Sequence, residues 1–282
     1  MKTKVIVAAA LIAFGVTAAS AQTMVVNLAN GSKMEFKTSE VTNVEFKEAE
    51  NKDDKPDNPV IDDGQFANGH EYVDLGLPSG TLWAKCNIGA NSPEEYGDYY
   101  AWGETETKTK YNESEYKYYA SITESTLDAD GFDIKTEYKG YIKYVPMSKS
   151  SDYGYKGFYD DKTELELDDD VAHVKWGGDW RMPTKAEQDE LRNNCTWDWK
   201  ELKGVKGYKV TGANGKFIFL PAAGYRYNSS LDNVGGYGYY WSSSLYESYP
   251  YDAYDLYFLS SYVGWDDYYR YGGQSVRAVR RQ

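Results

Sequence analysis

Residues 236–280 read GYGYYWSSSLYESYPYDAYDLYFLSSYVGWDDYYRYGGQSVRAVR, and this stretch indicates the fold class most directly. Tyrosines and tryptophans recur there among small polar residues, in short runs separated by Gly, Ser or Pro. Aromatic residues are enriched in strands, and Tyr combined with Ser, Gly and Asn is the composition of binding loops. We therefore expect strands and loops that present a contact surface.

The same stretch is poor in the side chains that usually carry catalysis. No Lys follows Lys216, and neither Cys nor His follows Cys195. The chain also lacks a P-loop, a dinucleotide fingerprint, a nucleophile elbow and a metal-binding pair of histidines. We predict no catalytic residues, no metal ligands and no cofactor.

The overall composition argues against nucleic acid as a partner. The formal net charge is −13 and the pI is about 4.7, whereas binding to a phosphate backbone depends on clustered Lys and Arg. Aromatic residues make up 16% of the chain, which favours a β-rich globule over a helical bundle.

Residues 1–21 have the features of a cleavable signal peptide. Two lysines precede an apolar run from Val5 to about Ala18, and residues 19–21 (ASA) form a small-x-small cleavage pattern. The run is shorter than the ~20 apolar residues that a bilayer requires, and no later segment is long enough either. We predict export to the periplasm, the cell surface or the medium, with no membrane span.

Three segments are predicted to follow the signal peptide. Residues 22–47 alternate around Asn30-Gly31, the strongest short-range hairpin signal, and are predicted to form a short β-hairpin segment. Residues 48–68 are acidic, poor in apolar residues and interrupted by prolines, as in a flexible linker. Residues 69–282 have the length of one large domain.

Within this domain the sequence predicts one clear helix and many short strands. Thr184 and Glu187 form a capping-box pattern, so a helix is expected at Lys185–Asn194. Residues 111–170 are polar and irregular, and we expect a long, partly mobile loop region there. Strands are predicted at 72–75, 81–87, 99–102, 171–176, 207–211, 216–220, 239–243, 254–259 and 275–280.

The two cysteines, Cys86 and Cys195, have two open interpretations. Disulfides persist in exported proteins, so the two residues either form one disulfide or remain two separate buried thiols, and their geometry decides which. A metal site is disfavoured because neither Cys has a CxxC neighbour and His70 and His173 are isolated in sequence.

Several blocks occur in a specific order along the predicted domain. They are residues 70–90 (HEYVDLGLPSGTLWAKCNIGA), 100–104 (YAWGE), 180–187 (WRMPTKAE), 240–244 (YWSSS) and 273–277 (GQSVR). In this series the chain resembles the Fibrobacter succinogenes major paralogous domain of exported Bacteroidetes and Fibrobacteres proteins. The resemblance covers nearly everything after Asn68. It implies an α+β, C-type-lectin-like fold with a mixed, mainly antiparallel sheet, one or two helices and long loops.

The WRMPTKAE block also looks like one in formylglycine-generating enzymes, whose catalysis needs C-terminal cysteines that this chain lacks. A structural interpretation is therefore favoured, in which Trp180 packs, Thr184 and Glu187 cap the helix and Arg181 is buried in a pairing role. Trp241 is expected to belong to the scaffold as well.

Calcium-dependent sugar binding is not expected. Sugar-binding C-type lectins use a Glu-Pro-Asn or Gln-Pro-Asp loop and a Trp-Asn-Asp triplet, and only residues 264–267 (GWDD) come near this pattern. Whether a structural calcium ion binds among residues 160–170 is left open by the sequence.

The C-terminal stretch also resembles the variable regions of proteins diversified by retroelements. Such regions end lectin-like domains and are rewritten at adenines in Asn-type codons, which yields Tyr, Ser, Asp, Asn, Gly and Phe. Residues 240–271 are rich in these types. Alternatively, the parent family itself favours this composition in its last strands.

From these features we predict a noncatalytic module that presents a Tyr-rich surface to an extracellular protein or glycan. The predicted contacts are Tyr246, Tyr249, Tyr251, Tyr254, Tyr262, Trp265, Asp267, Tyr268 and Tyr269. Two alternatives stay open. One is a secreted polysaccharide hydrolase that uses Asp252 with Asp255, or Asp266 with Asp267. The other is a surface or matrix protein that assembles with its own copies.

Overall fold

The structure, a computed structural model, describes residues 23–27, 33–37 and 65–282. The chain divides into two compact units, Met1–Pro59 and Val60–Gln282. The predicted signal peptide and most of the predicted linker, up to residue 64, lie outside the described residues.

The first unit contains one described strand pair. Strands β1 (Thr23–Asn27) and β2 (Lys33–Lys37) run antiparallel, with Thr23 opposite Lys37 and Asn27 opposite Lys33. This pair corresponds to the predicted hairpin segment, whose Asn30-Gly31 turn and remaining residues lie outside the described residues.

The second unit is built from short strands that pair antiparallel. These strands are β3 (Gln65–Ala67), β4 (His70–Val73), β5 (Leu82–Ala84), β6 (Tyr119–Leu127), β7 (Asp133–Tyr141), β8 (Thr196–Leu202), β9 (Val205–Thr211), β10 (Phe217–Pro221), β11 (Tyr225–Tyr227), β12 (Ser230–Asp232), β13 (Tyr237–Leu245), β14 (Asp252–Leu259), β15 (Tyr262–Tyr269) and β16 (Val279–Arg280). They form sheets in the orders β16-β5-β4-β3, β10-β9-β8 and β13-β14-β15, plus the two-stranded pairs β6-β7 and β11-β12.

Within the described residues, three α-helices accompany these strands: α1 (Ser150–Tyr153), α2 (Val171–Trp176) and α3 (Lys185–Asn194). The α3 bounds agree with the prediction because a complete capping box starts the helix. The Thr184 side chain accepts a hydrogen bond from the Glu187 backbone N–H, and the Glu187 carboxylate accepts one from the Thr184 backbone N–H. The predicted α+β class, mostly antiparallel sheet with few short helices, is confirmed.

Four sequence predictions are wrong in detail. Residues 171–176 form α2 instead of a strand, because the Asp170 side chain accepts hydrogen bonds from the Ala172 and His173 backbone N–H groups and starts a helix. Residues 111–170 contain the long β6–β7 hairpin and α1 instead of a continuous loop. Residues 99–102 contain only an isolated bridge, from Tyr100 to Gln274. The predicted linker ends too late, because β3 already pairs with β4.

Two clusters of buried apolar side chains hold the second unit together. The larger contains Trp102, Trp180 and Trp241, and the smaller contains Trp83 and Phe258, each at most 1% exposed. Edge-to-face pairs between aromatic rings, such as Trp102 with Tyr144 and Trp176 with Trp180, add specificity to the packing.

A buried arginine ties the C-terminal segment to this core. Arg277 is 1% exposed and donates to the carbonyls of Ala84, Lys85 and Phe219 and to Asn87 Oδ1. An always-charged guanidinium needs such acceptors when water is excluded. Its contacts fix the segment that leads to β16.

No helix among the described residues is long and apolar enough to cross a membrane.

Candidate binding site on the C-terminal sheet

Strand alternation divides the side chains of β14 and β15 between two faces. Tyr254 pairs with Asp267, and Leu256 pairs with Trp265, so these residues share one face, here called the front face. It also carries Asp252 and Tyr269. The other face, here called the back face, carries Asp255, Tyr257, Tyr262, Asp266 and Tyr268.

Six aromatic side chains form a continuous chain of ring contacts on and beside the front face. We call this set the aromatic chain: Trp265, Tyr254, Tyr246, Tyr249, Tyr251 and Tyr269. Successive ring centroids are 5.3, 5.0, 5.8, 5.7 and 5.9 Å apart. These spacings are within the range of favourable aromatic pairs, so each ring helps to orient the next.

Half of the aromatic chain is open to solvent. Tyr249 is 47% exposed, Tyr269 is 42% exposed and Trp265 is 41% exposed. The remaining three rings are half-buried. Large aromatic side chains held beside one another in this way offer contact area that is already ordered.

The loop that carries three of these tyrosines is fixed by its backbone. The Tyr249 N–H donates to the Tyr246 carbonyl at 3.1 Å, and the Asp252 N–H donates to the Tyr249 carbonyl at 2.9 Å. Arg270, fully buried, donates from Nη1 to the Pro250 carbonyl at 2.8 Å and stacks over the Tyr141 ring at 4.4 Å. This loop is therefore anchored to the core through Pro250.

A pair of carboxyl groups lies on the front face among these rings. Asp252 is 6% exposed, and the Asp267 carboxylate is within hydrogen-bonding reach of it, while Asp252 Oδ1 has no protein partner. Burial, together with the Asp267 charge, raises the pKa of Asp252 to about 8. Two neighbouring carboxyls cannot both ionise cheaply, so the pair shares one proton at neutral pH.

Two lysines of the protein itself lie over rings of the aromatic chain. Lys185 Nζ, at the start of α3, is 4.8 Å from the Trp265 centroid and 5.5 Å from the Tyr254 centroid. Lys149 Nζ is 5.8 Å from the Tyr249 centroid. These rings thus attract ammonium groups through their negative faces.

Two of the predicted contact residues are on the wrong face for this site. The Tyr268 ring packs against Tyr225 at 5.1 Å and against Tyr239 at 6.3 Å, and the Tyr262 ring packs against Tyr257 at 6.0 Å. Side chains alternate along β15, so Tyr268 points away from its neighbour Tyr269. The structure brings together the other seven: Tyr246, Tyr249, Tyr251, Tyr254, Trp265, Asp267 and Tyr269.

The same alternation separates both carboxylate pairs of the hydrolase alternative. Asp252 is three residues before Asp255, and Asp266 is adjacent to Asp267, so each pair has one member on each face. Asp255 is also completely buried. Neither pair flanks one cleft, as glycoside hydrolysis by two carboxyls requires.

Asp255 belongs to a buried polar group on the back face. Its Oδ2 accepts a hydrogen bond from Gln274 Nε2 at 2.6 Å, whereas Asp255 Oδ1 and Gln274 Oε1 have no partner. Burial raises the pKa of Asp255 well above its ordinary value, and the charges of Asp266, Asp267 and Asp252 raise it further. Burial therefore favours the protonated form of Asp255.

The predicted structural residues lie in the apolar core and at the start of α3. Trp180 and Trp241 are buried in the larger apolar cluster. Arg181 forms two hydrogen bonds with the Glu187 carboxylate, from Nη1 at 2.7 Å and from Nη2 at 2.5 Å. With Thr184 at the helix start, this pair fixes the end of α3 that holds Lys185 over the aromatic chain.

The two cysteines are separate free thiols, in agreement with the second of the two interpretations. Both are partly buried. Burial raises the pKa of Cys86, and it raises the pKa of Cys195 to about 11. Neither thiol has the lowered pKa of a reactive cysteine.

The carboxylates between residues 160 and 170 bind protein groups. Asp160 accepts hydrogen bonds from the Tyr144 and Val145 backbone N–H groups, and Asp169 pairs with Lys143. Asp170 starts α2. Within the described part of the chain, no three His, Cys, Asp or Glu side chains are grouped so that they could hold a metal ion.

Sequence reasoning missed Arg270 and Lys185 as parts of the site. Nothing in the local sequence around Arg270 indicates burial, because its acceptors are Tyr116 Oη and the carbonyls of residues 143, 144 and 250. Lys185 is the first residue of a predicted helix, but its position over the Trp265 ring depends on how α3 packs.

A shallow pocket lies apart from the aromatic chain. Its lining includes His70, Asp98, Glu106, Lys175 and Trp176. His70 stacks on Trp176 at 3.9 Å, and Lys175 pairs with Glu106 at 2.7 Å. These side chains already have partners within the protein. The pocket therefore offers a ligand fewer free polar groups than the front face does.

One known protein family matches part of this chain, including the region of the site. The profile of the Domain of unknown function (DUF8237) matches residues 197–279, which contain β9 to β15 and the whole aromatic chain. No curated protein and no solved structure matches the chain.

Proposed function

We propose that this chain is an exported, noncatalytic binding module whose aromatic chain contacts a protein or glycan outside the cell. The observation that carries the proposal is the ordered set of six rings, half of it exposed, on and beside a three-stranded sheet. Following the resemblance seen in the sequence, we assign residues 69–282 to a C-type-lectin-like fold. The proposal includes the diversification of residues 240–271 by a retroelement.

Physical reasons support a binding role for this face. Tyr and Trp bury large areas on binding, and a ring that is already oriented loses little entropy. Backbone hydrogen bonds and the Arg270 contact to Pro250 hold the loop that carries three of the rings. Aromatic faces of this kind stack on sugar rings and anchor protein interfaces.

The proposal is tested with a glycan array and a displayed library of random peptides. The purified protein is compared with a triple variant, Tyr249→Ser, Trp265→Ser and Tyr269→Ser, which removes three exposed rings. The matched control is Tyr262→Ser, an exposed tyrosine of the back face. We expect ligands that the wild type and the control bind and the triple variant does not. Ligands that all three bind equally would place recognition elsewhere and refute the proposal.

The β6–β7 hairpin favours self-assembly as a second candidate function. Its tip carries Leu127 and Phe132, which are 73% and 71% exposed, and Ile122 and Ile134 are also exposed. Exposed apolar residues on a two-stranded hairpin are suited to contact between copies. Size-exclusion chromatography over a concentration series, with Leu127→Ser plus Phe132→Ser as the variant, tests this. A wild-type elution volume that does not depend on concentration would exclude it.

A further inference from the structure

Asp267 is surrounded by aromatic rings on the front face. Along β15 it lies between Trp265 and Tyr269, whose side chains share its face, and Tyr254 is directly opposite on β14. Asp252 lies diagonally across the strand pair, close enough to share a proton with it. A half-exposed carboxylate is thus ringed by three aromatic side chains, with a second carboxyl group beneath.

The rings and carboxyl groups around Asp267 can attract a cationic group in two ways. Aromatic faces attract cations, and carboxylates pair with them. Lys185 already shows the first attraction, because its Nζ lies over both the Trp265 ring and the Tyr254 ring. Asp252 Oδ1, buried and without a protein partner, supplies an unused acceptor below the rings.

We propose that the front face binds the guanidinium group of an arginine side chain from a protein partner. A guanidinium can stack on an aromatic ring and donate to a carboxylate at the same time, which an ammonium group does less well. The net charge of −13 adds a general attraction for a basic partner. This inference rests on the proposed binding function and names the ligand chemistry of the same site.

The carboxyl pair makes such binding depend on pH. The empty site holds a proton on Asp252 below about pH 8, and an arriving cation favours the ionised form and expels the proton. Affinity is therefore expected to rise about tenfold per pH unit below pH 8 and to level off above it. Three charged or titratable groups outside the pair act on it or are acted on by it most directly: Asp266, Arg270 and the buried Asp255. The Asp252 and Asp267 charges also raise the pKa of Tyr251 and of Tyr254, respectively.

The test is a titration with Nα-acetyl-argininamide, followed by the resonance of the Trp265 indole N–H. Nα-acetyl-citrullinamide, which has a similar shape and no charge, is the matched probe. At pH 8.5 we expect saturable binding of the arginine probe and at least about tenfold weaker binding of the citrulline probe. Equal binding of the two probes, or no binding of either, would overturn the inference.

Two substitutions on the front face separate the contribution of Asp267 to affinity from the contribution of Asp252 to the pH dependence. Asp267→Asn is expected to weaken binding of the arginine probe about tenfold, and Asp252→Asn is expected to abolish the rise in affinity between pH 6 and pH 8. Asp198→Asn, at an exposed position of β8 in a different sheet, is the control and should retain both the binding at pH 8.5 and the pH profile. Circular dichroism and urea unfolding establish that each variant is folded. An unchanged pH profile in Asp252→Asn would contradict the role of the pair.

The outcomes also separate this inference from the proposed function. In one outcome the triple variant loses glycan or peptide binding, but Asp267→Asn has no effect. The proposed binding role of the aromatic chain would then stand, and the inference of arginine recognition would be refuted. If the triple variant binds every ligand as the wild type does, the binding face itself is refuted.

Discussion

Replacing Asp255 by Asn should stabilise the protein increasingly as the pH rises. Asp255 is completely buried, and its folded-state pKa is raised well above the ordinary value by burial and by nearby carboxylates. Folding therefore retains a proton that the unfolded chain loses above about pH 4. Between that pH and the folded-state pKa, each pH unit lowers the unfolding free energy by about 1.4 kcal/mol.

The Asp255→Asn variant has a side chain of nearly the same shape that does not titrate. Gln274 Nε2 donates to Asp255 Oδ2 at 2.6 Å, and this acceptor is present in the protonated carboxyl group. In the Asp255→Asn variant, the side-chain amide oxygen can accept the same hydrogen bond from Gln274 Nε2. From pH 5 to pH 7 the variant should therefore gain about 3 kcal/mol relative to the wild type, as long as the folded carboxyl stays protonated.

Urea unfolding at pH 5, 6 and 7, followed by tryptophan fluorescence, measures this difference. A gain of about 3 kcal/mol corresponds to about 6 to 12 °C in melting temperature for a domain of this size. Asp198→Asn, at an exposed position of β8, is the control for removing one carboxylate. Parallel stability curves for the wild type and Asp255→Asn across this range would refute the reasoning.

Three further predictions concern the scaffold. Thr184→Ala removes the acceptor that caps α3 and should lower the unfolding free energy by about 1 kcal/mol in urea titrations. Gly238→Ala places a methyl group against the Phe258 ring and should cost about 1 to 3 kcal/mol, and an unaltered melting temperature would contradict this packing. Cys86 and Cys195 should both be alkylated in denaturant without reductant, giving a mass increase of two groups. In the native protein the reaction at pH 8 should be at least about tenfold slower, because burial raises both pKa values.

Local signals in the sequence predict the parts of the fold that local interactions determine. The capping box at Thr184 satisfies the first turn of α3 within four residues, so the helix bounds are predictable. Strands β9, β10 and β14 are short runs rich in β-branched, aliphatic and aromatic residues and are predictable as well. The Asp170 cap of α2 is present in the sequence, but it is hidden within an acidic run.

Other features depend on contacts that a local pattern does not contain. The β6–β7 hairpin is mostly exposed on both faces, so it lacks the alternation of apolar and polar residues that marks a half-buried strand. Tyr268 and Tyr269 are chemically identical neighbours, and only the packing of Tyr225 against Tyr268 decides which one faces outward. The tyrosine-rich composition could therefore predict an aromatic surface but not which residues belong to it.

The position of β15 at the edge of its sheet has a consequence for solubility. Only β14 pairs with it among the described strands, so its outer backbone groups are open to pairing with another chain. Its exposed Tyr262, Trp265 and Tyr269 would favour such contact, and the charges of Asp266 and Asp267 oppose it. Burial raises the pKa of Asp267, so this protection weakens earlier on acidification than it would with an ordinary aspartate. Acidic media should therefore drive edge-to-edge aggregation through the same strand that carries Trp265 and Tyr269 of the aromatic chain.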